Sequence, residues 1–410
     1  MLLGALVTLA SFATDMGLPV LEPIAASLHV TAADAALTLS VFIGGFAIGP
    51  LAFGPVSDHY GRRPMLLVGL AMFALFGALG AFALSLRALL MWRFLMGSAA
   101  GGCQVLVLAM VRDMFTGSEA RIRQSYVNLA AGVAPVVAPT LGVAVAAVGG
   151  WRAIYGVLAA GGTVLFAIVA LRLGESATRN AGASLSMSQT GRSYARVLRH
   201  PVSLGYAFVI ALNFGCLFAY VSGSSLVMIQ LLGVSRPVYG YLFACTSLGI
   251  MAGALLTARL TRAGVPHATL IVAGESAIVG TALVLVVVTL AGGLTVWTLV
   301  PLGVIGFIGH GMVRPHASQG ALEPMPDIAG VASAVLSGVQ MIVGAAASTV
   351  VAMLFNGHSA IAVTGTMAVC ATSAALVYVG PVRRAERDIA RNPVELRRDP
   401  AIQPREAVTQ

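Results

Sequence analysis

Long apolar runs recur from one end of this chain to the other, each about as long as a bilayer is thick. A hydrocarbon core of roughly 30 Å takes about 20 residues of helix to cross. Runs of that order fall at 2–24, 35–57, 64–84, 89–113, 124–149, 152–173, 203–231, 237–260, 267–290, 294–320, 328–355 and 358–380. Inside hydrocarbon every backbone N–H and C=O must be satisfied by the chain itself, so each run is expected to be helical. The expected fold class is an all-α membrane protein with twelve transmembrane helices. Composition agrees: 10% of residues are charged, against roughly 25% in soluble domains. That excludes an ordinary water-soluble enzyme. Pro and Gly inside the runs are tolerated where neighbouring helices re-satisfy the backbone.

The longest polar interruption divides the runs six and six. The expected organisation is a first bundle at 1–173, a linker at 174–202, a second bundle at 203–380 and a polar tail at 381–410. Lysine is absent, so the 24 basic residues are all arginine. Assigning alternate loops to one side collects twenty of them there, including Arg62, Arg63, Arg112, Arg314 and seven in the tail. Arg87, Arg152 and Arg236 fall on the other side, and Arg93 lies at or within a span. This is the positive-inside bias, and it puts both termini in the cytoplasm. Nucleic acid is not an expected partner, because these arginines lie between apolar runs rather than on a soluble face with interleaved aromatics. The cysteines Cys103, Cys216, Cys245 and Cys370 lie inside apolar runs without metal-ligand spacing. They read as small packing residues, and neither a metal nor a cofactor is expected. The apolar start carries Asp15 and Pro19 but no basic leader, so it reads as a first span rather than a signal peptide.

Several residues stand out against this background. Asp15 lies mid-span, where a charged side chain costs about 2.5–3.5 kcal/mol on insertion scales. An acid that meets each side of the membrane in turn is what proton-coupled exchange requires. Arg93 opens the fourth span and reads either as a snorkelling residue at the surface or as a partner that tunes Asp15. Between the second and third spans lies Gly54-Pro55-Val56-Ser57-Asp58-His59-Tyr60-Gly61-Arg62-Arg63-Pro64. Gly61 permits its turn, and Asp58, Arg62 and Arg63 face Arg112 and Asp113 at the end of the fourth span. Charge pairs there are expected to gate the cytoplasmic rim. Pro135 and Pro139 bend the fifth span, and Gly142 lets another helix approach it. Glu275 is a second intramembrane acid. Glu22 reads as solvated, and His310 and His316 as packing residues. Gly223-Ser224-Ser225 has no histidine placed convincingly against it, and no phosphate-binding loop is present.

Together these residues resemble the Bcr/CflA (bicyclomycin/chloramphenicol-type) drug-efflux branch of the major facilitator superfamily. Thr14-Asp15-Met16 with Leu18-Pro19 resembles its first-helix signature, and Gly54 through Pro64 matches motif A. Arg93-Phe94-Leu95 with Gly97 resembles motif B. Pro135 and Pro139 to Gly142 resemble the helix-five antiporter motif. Met96 stands where motif B usually has Gln, and Ala138 and Val143 replace two glycines of the helix-five pattern. The resemblance implies two six-helix bundles of the major facilitator fold in a bacterial inner membrane. It implies export of drugs or drug-like small molecules by proton antiport, with Asp15 as the proton-linked acid, Arg93 as its modulator and a monomer as the working unit. The alternatives are an exporter of a physiological metabolite on the same fold and, further off, a polytopic membrane enzyme.

Overall fold

The first span breaks in the middle of its run, and the break lies beside Asp15. A computed structural model of the protein describes residues 2–115, 117–174, 187–325 and 328–391. All regular structure among the described residues is helical. Helix α1 (Leu2–Asp15) stops at the acid; a short 3-10 turn follows at Leu18–Val20, and α2 (Leu21–Leu28) resumes the span. The reason is Pro19, which has no N–H to give the Asp15 carbonyl four residues back. A continuous helix over 2–24 was expected, so this is a correction to that reading.

The second to fourth spans are α3 (Ala32–Tyr60), α4 (Arg62–Ala81) and α5 (Leu86–Met114). Helix α3 starts at a capping box, in which Thr31 accepts from the Asp34 amide and the Asp34 carboxylate accepts from the Thr31 amide. Helix α6 (Gly117–Arg172) runs for 56 residues, which at 1.5 Å per residue is about 84 Å. No bilayer accommodates that length, and the chain reverses at Gly149 and Gly150. Gly150 has φ +68° and ψ −172°, a conformation open only to glycine. The eleven continuous apolar stretches therefore make twelve spans, with the fifth before Gly149 and the sixth after Gly150.

Helix α7 (Met187–Arg199) occupies the end of the expected linker. Its Val197 is fully buried against Met325, Ala332 and Val335. The seventh span is α8 (Pro201–Ser225), prolonged by a π turn at Leu226–Leu231. Then come α9 (Arg236–Arg262), α10 (His267–Leu290), α11 (Val296–Leu322), α12 (Ala329–Leu354) and α13 (Ile361–Val377). The twelfth span was expected to end at 380. Instead the chain passes through a π turn at Tyr378–Val382 and stays helical in α14 (Arg383–Arg391). The wider turn carries Pro381 without ending the helix. The Tyr206 hydroxyl donates to the Glu386 carboxylate and fastens α14 to α8.

Glycines set the tightest contacts within each half. A Cβ on Gly45 or Gly49 of α3 would drive into the carbonyls of Phe94 and Ser98, and one on Gly97 or Gly101 of α5 into those of Phe42 and Phe46. The second half repeats the device: Gly253 of α9 faces the Ile308 carbonyl, and Gly311 of α11 faces that of Ile250. Such close approach lets dispersion and backbone contacts hold helices together where lipid supplies no hydrophobic drive. Gly97→Ala is therefore expected to destabilise the protein by about 1–3 kcal/mol, the cost of overpacking. A lower melting temperature in detergent checks it. Gly54→Ala is the control, since a Cβ there meets nothing within 4 Å.

Between the halves, α3 packs on α12 and the fifth span on α9. The loops at the α3–α4 and α9–α10 turns share one end of the molecule with α7, here termed the arginine-rich end; the other is the arginine-poor end. Toward the arginine-poor end the Ser40 hydroxyl donates to Ser348 at 2.8 Å. Arg236 pairs there with Glu22 at 3.0 Å, and Gly240 sits against Thr140.

Candidate functional site

The break in the first span leaves backbone carbonyls without helical partners, and a buried arginine takes one of them. Arg93 donates from Nη1 to the Ala13 carbonyl at 2.8 Å and from Nε to the Thr38 carbonyl at 3.2 Å. Its guanidinium lies 4.4 Å from the centroid of the Phe42 ring and 5.8 Å from that of Tyr155. A cation suits the C-terminal end of a helix, where carbonyl dipoles accumulate. Arg93 is 4% exposed, which rules out the snorkelling alternative. It reaches the backbone two residues before Asp15 and makes no ion pair with the Asp15 carboxylate.

Asp15 is 5% exposed. Its carboxyl makes no hydrogen bond and no ion pair with a described residue. It lies close enough to the Tyr239 hydroxyl of α9 for the two to interact electrostatically. Tyr239 in turn shares a 3.0 Å hydrogen bond with Ser224 of α8. The acid of the first half thus faces a hydroxyl pair of the second. The 3-10 turn that follows Asp15 packs against α8 and α9 as well as the fifth span. A small cavity beside the break is lined by Thr14, Gly17, Thr38, Arg93 and Tyr155.

The helix-five residues come to the same place. Gly142 is buried, and a Cβ on it would overlap the Met16 carbonyl. Pro139 is buried and Pro135 partly so. The fifth span therefore closes directly over the residue after the acid. Sequence reasoning linked Arg93 with Asp15 but named Gly142 separately and did not place it beside them.

The residues read as a rim gate are arranged within one half. Gly61 has φ +101°, the conformation that requires glycine at this turn. Arg62 pairs with Asp113 at 3.3 Å and also donates to Ser57. Arg63 donates to the Ala170 carbonyl at 2.7 Å. These bonds tie the turn between α3 and α4 to α5 and the sixth span. The side chains of Asp58 and Arg112 lie outside the described residues.

In the second half, Glu275 of α10 is 4% exposed. Its Oε1 accepts from the Asn213 amide at 2.6 Å, while Oε2 and the Asn213 oxygen have no partner. His316 bonds Thr257 and His267, each at 3.0 Å. Arg314 was counted with the inner-side arginines while lying inside the run at 294–320; it stands within α11, eight residues before the helix ends, and lines a cavity with Asn213, His310 and Gln340. The charge count gave no sign of that cavity. The signal available was its position inside the apolar run at 294–320, between His310 and His316.

Twelve spans in two glycine-packed halves, with a buried acid where the halves meet, define a membrane transporter rather than an enzyme. The chain belongs to the Major Facilitator Superfamily, whose model matches residues 3–349. It is 33% identical to the "Uncharacterized MFS-type transporter YdgK" of Bacillus subtilis (strain 168), over 92% of this chain and 94% of that one. It is 30% identical to the "Bicyclomycin resistance protein homolog" of Haemophilus influenzae, again over 92% and 94% of the two chains. Among solved structures, a D-xylose-proton symporter superposes with a TM-score of 0.73 at 15% identity, over 94% of this chain and 98% of that one. That likeness carries the fold alone. The bicyclomycin-resistance relative agrees with the branch read from the motifs.

Proposed function

We propose that this transporter is a proton-coupled antiporter that exports drugs or drug-like small molecules from the cytoplasm by alternating access. The observation that carries the reading is Asp15: a carboxyl buried where the two halves meet, with neither ion pair nor hydrogen bond to a described residue. A permanently clasped acid has no proton to trade; an unpartnered one does. Arg93 acts as a positioning residue, because its bond to the Ala13 carbonyl fixes the end of α1. The bicyclomycin-resistance relative supports a drug-like cargo.

The arginine-rich end is assigned to the cytoplasm by the positive-inside rule, with both termini on that side of the bacterial inner membrane. The bundles at 1–173 and 203–380, joined by the linker at 174–202, then rock against each other. The Ser40–Ser348 and Glu22–Arg236 contacts close the outer side. Arg62, Arg63 and Asp113 brace the inner rim. Glu275 is a second acid available to the cycle. One charge falling through 100 mV supplies about 2.3 kcal/mol, enough for roughly fifty-fold accumulation at 1.4 kcal/mol per decade.

Everted vesicles containing the protein test the reading. Energised vesicles are expected to accumulate substrate against its gradient, and an uncoupler is expected to stop them. Uptake that never exceeds equilibrium and ignores the uncoupler would replace antiport with passive passage.

A further inference from the structure

The second half holds a cavity whose chemistry the proton-coupling site does not explain. Asn213 and Phe214 of α8, His310 and Arg314 of α11 and Gln340 of α12 line it. Its volume is about 50 Å³, room for a small polar head group rather than for a whole ligand, whose sites run to roughly 300–1,000 Å³. By helix rise Arg314 stands about 12 Å inside the end of α11, and its side chain is exposed, open to an incoming ligand.

Nothing in the cavity neutralises it. Arg314 makes no ion pair or hydrogen bond with a described residue. The nearby acid, Glu275, is absent from the lining and is held behind the wall by Asn213. Gln340 is 94% buried, its residual exposure being 6%, and its amide likewise makes no hydrogen bond to a described residue while it lines the same space. Phe214, also in the lining, packs on Phe218 with ring centroids 4.4 Å apart and supplies apolar surface. A guanidinium and an unpartnered amide thus border the same cavity as an aromatic ring.

We infer that this cavity takes the carboxylate, or an equivalent single anionic head, of an amphipathic substrate whose apolar body lies against Phe214. The cargo class is therefore organic anions and zwitterions rather than lipophilic cations. A guanidinium binds a carboxylate through two parallel N–H donors, a geometry lysine lacks. Gln340 adds one amide donor. A quaternary or phosphonium cation meets an uncompensated positive charge here, and like charges at close range suppress the wrong ligand. The inference rests on the transporter reading and narrows its substrate.

The test uses the purified full-length protein in nanodiscs, with 4-phenylbutyrate, N-acetylphenylalanine, 4-phenylbutyramide and tetraphenylphosphonium as probes. Both carboxylates are expected to bind by calorimetry and to raise the melting temperature, while the amide and the phosphonium do neither. Arg314→Gln is expected to weaken carboxylate binding about fivefold, the upper range for a solvent-exposed ion pair. Arg314→Lys should restore part of the loss, and its unliganded melting temperature controls for folding. Failure of both carboxylates to bind at 10 mM, as an order-of-magnitude ceiling well above the millimolar range of weak ligands, overturns the inference. So does equal or tighter binding of the phosphonium, or binding unchanged in Arg314→Gln. Export by everted vesicles is measured in parallel: gradient-driven export of a cation would sink this inference and leave the antiporter reading standing.

Discussion

Asp15→Asn is expected to abolish uphill export and substrate-induced proton release while leaving substrate binding in place. The substitution keeps the side chain's size and polarity and removes only its ability to ionise. Because the Asp15 carboxyl makes no bond to a described residue, replacing it breaks none, and the melting temperature should stay close to that of the parent. Accumulation in energised vesicles should fall from as much as about fifty-fold, the limit set by one charge at 100 mV, to the equilibrium ratio of one. Downhill exchange of labelled for unlabelled substrate should persist, since it needs no net proton movement. The decisive measurement is proton release from purified protein on adding substrate. A mutant that releases protons like its parent would remove Asp15 from the coupling mechanism. Loss of binding together with transport would instead make it a substrate ligand.

Gly142→Ala should be nearly as damaging, for steric reasons. The added methyl would overlap the Met16 carbonyl. That atom is backbone, beside a helix break, and cannot swing aside as a flexible side chain does. Overpacking of this kind costs about 1–3 kcal/mol. Borne in only one of the two carrier states, it changes their ratio about tenfold or more at 1.4 kcal/mol per decade. Export is therefore expected to drop by at least that order while expression remains. Gly17→Ala supplies the comparison, because a Cβ there meets nothing within 4 Å. Equal activity of the two variants would show that close approach of the fifth span to the first is unnecessary.

Much of the architecture was readable because lipid permits so few solutions. Apolar runs of bilayer length had to be helices, and the reversal at Gly149 and Gly150 falls where the fifth and sixth runs were separated. Gly61 was expected at a tight turn and has the positive φ that such a turn demands. What periodicity and composition could not convey was depth and direction. Pro19 sat in plain view, yet its effect, ending α1 at Asp15, depends on which carbonyl loses its donor. Arg93 was read as either a surface residue or a partner that tunes the acid; it is buried and bonds the Ala13 and Thr38 carbonyls, acceptors that are invisible in a string of letters. Arg314 was counted with the inner-side arginines, which ordinarily mark topology. Only the packing of α8, α11 and α12 places it on a cavity wall. Asn213, Tyr239 and Gln340 carried no signal at all, being common polar residues in long helices.

The interruption after Asp15 has a mechanical corollary. Two blocks stiffened internally by backbone-to-backbone contact bend least within themselves, so swivelling concentrates in whatever joint is least hydrogen-bonded. In the first span that joint adjoins the acid. Under the proposed antiport, loading or unloading one hydrogen ion at Asp15 would act on the pivot itself, with no chain of intermediaries between chemistry and motion.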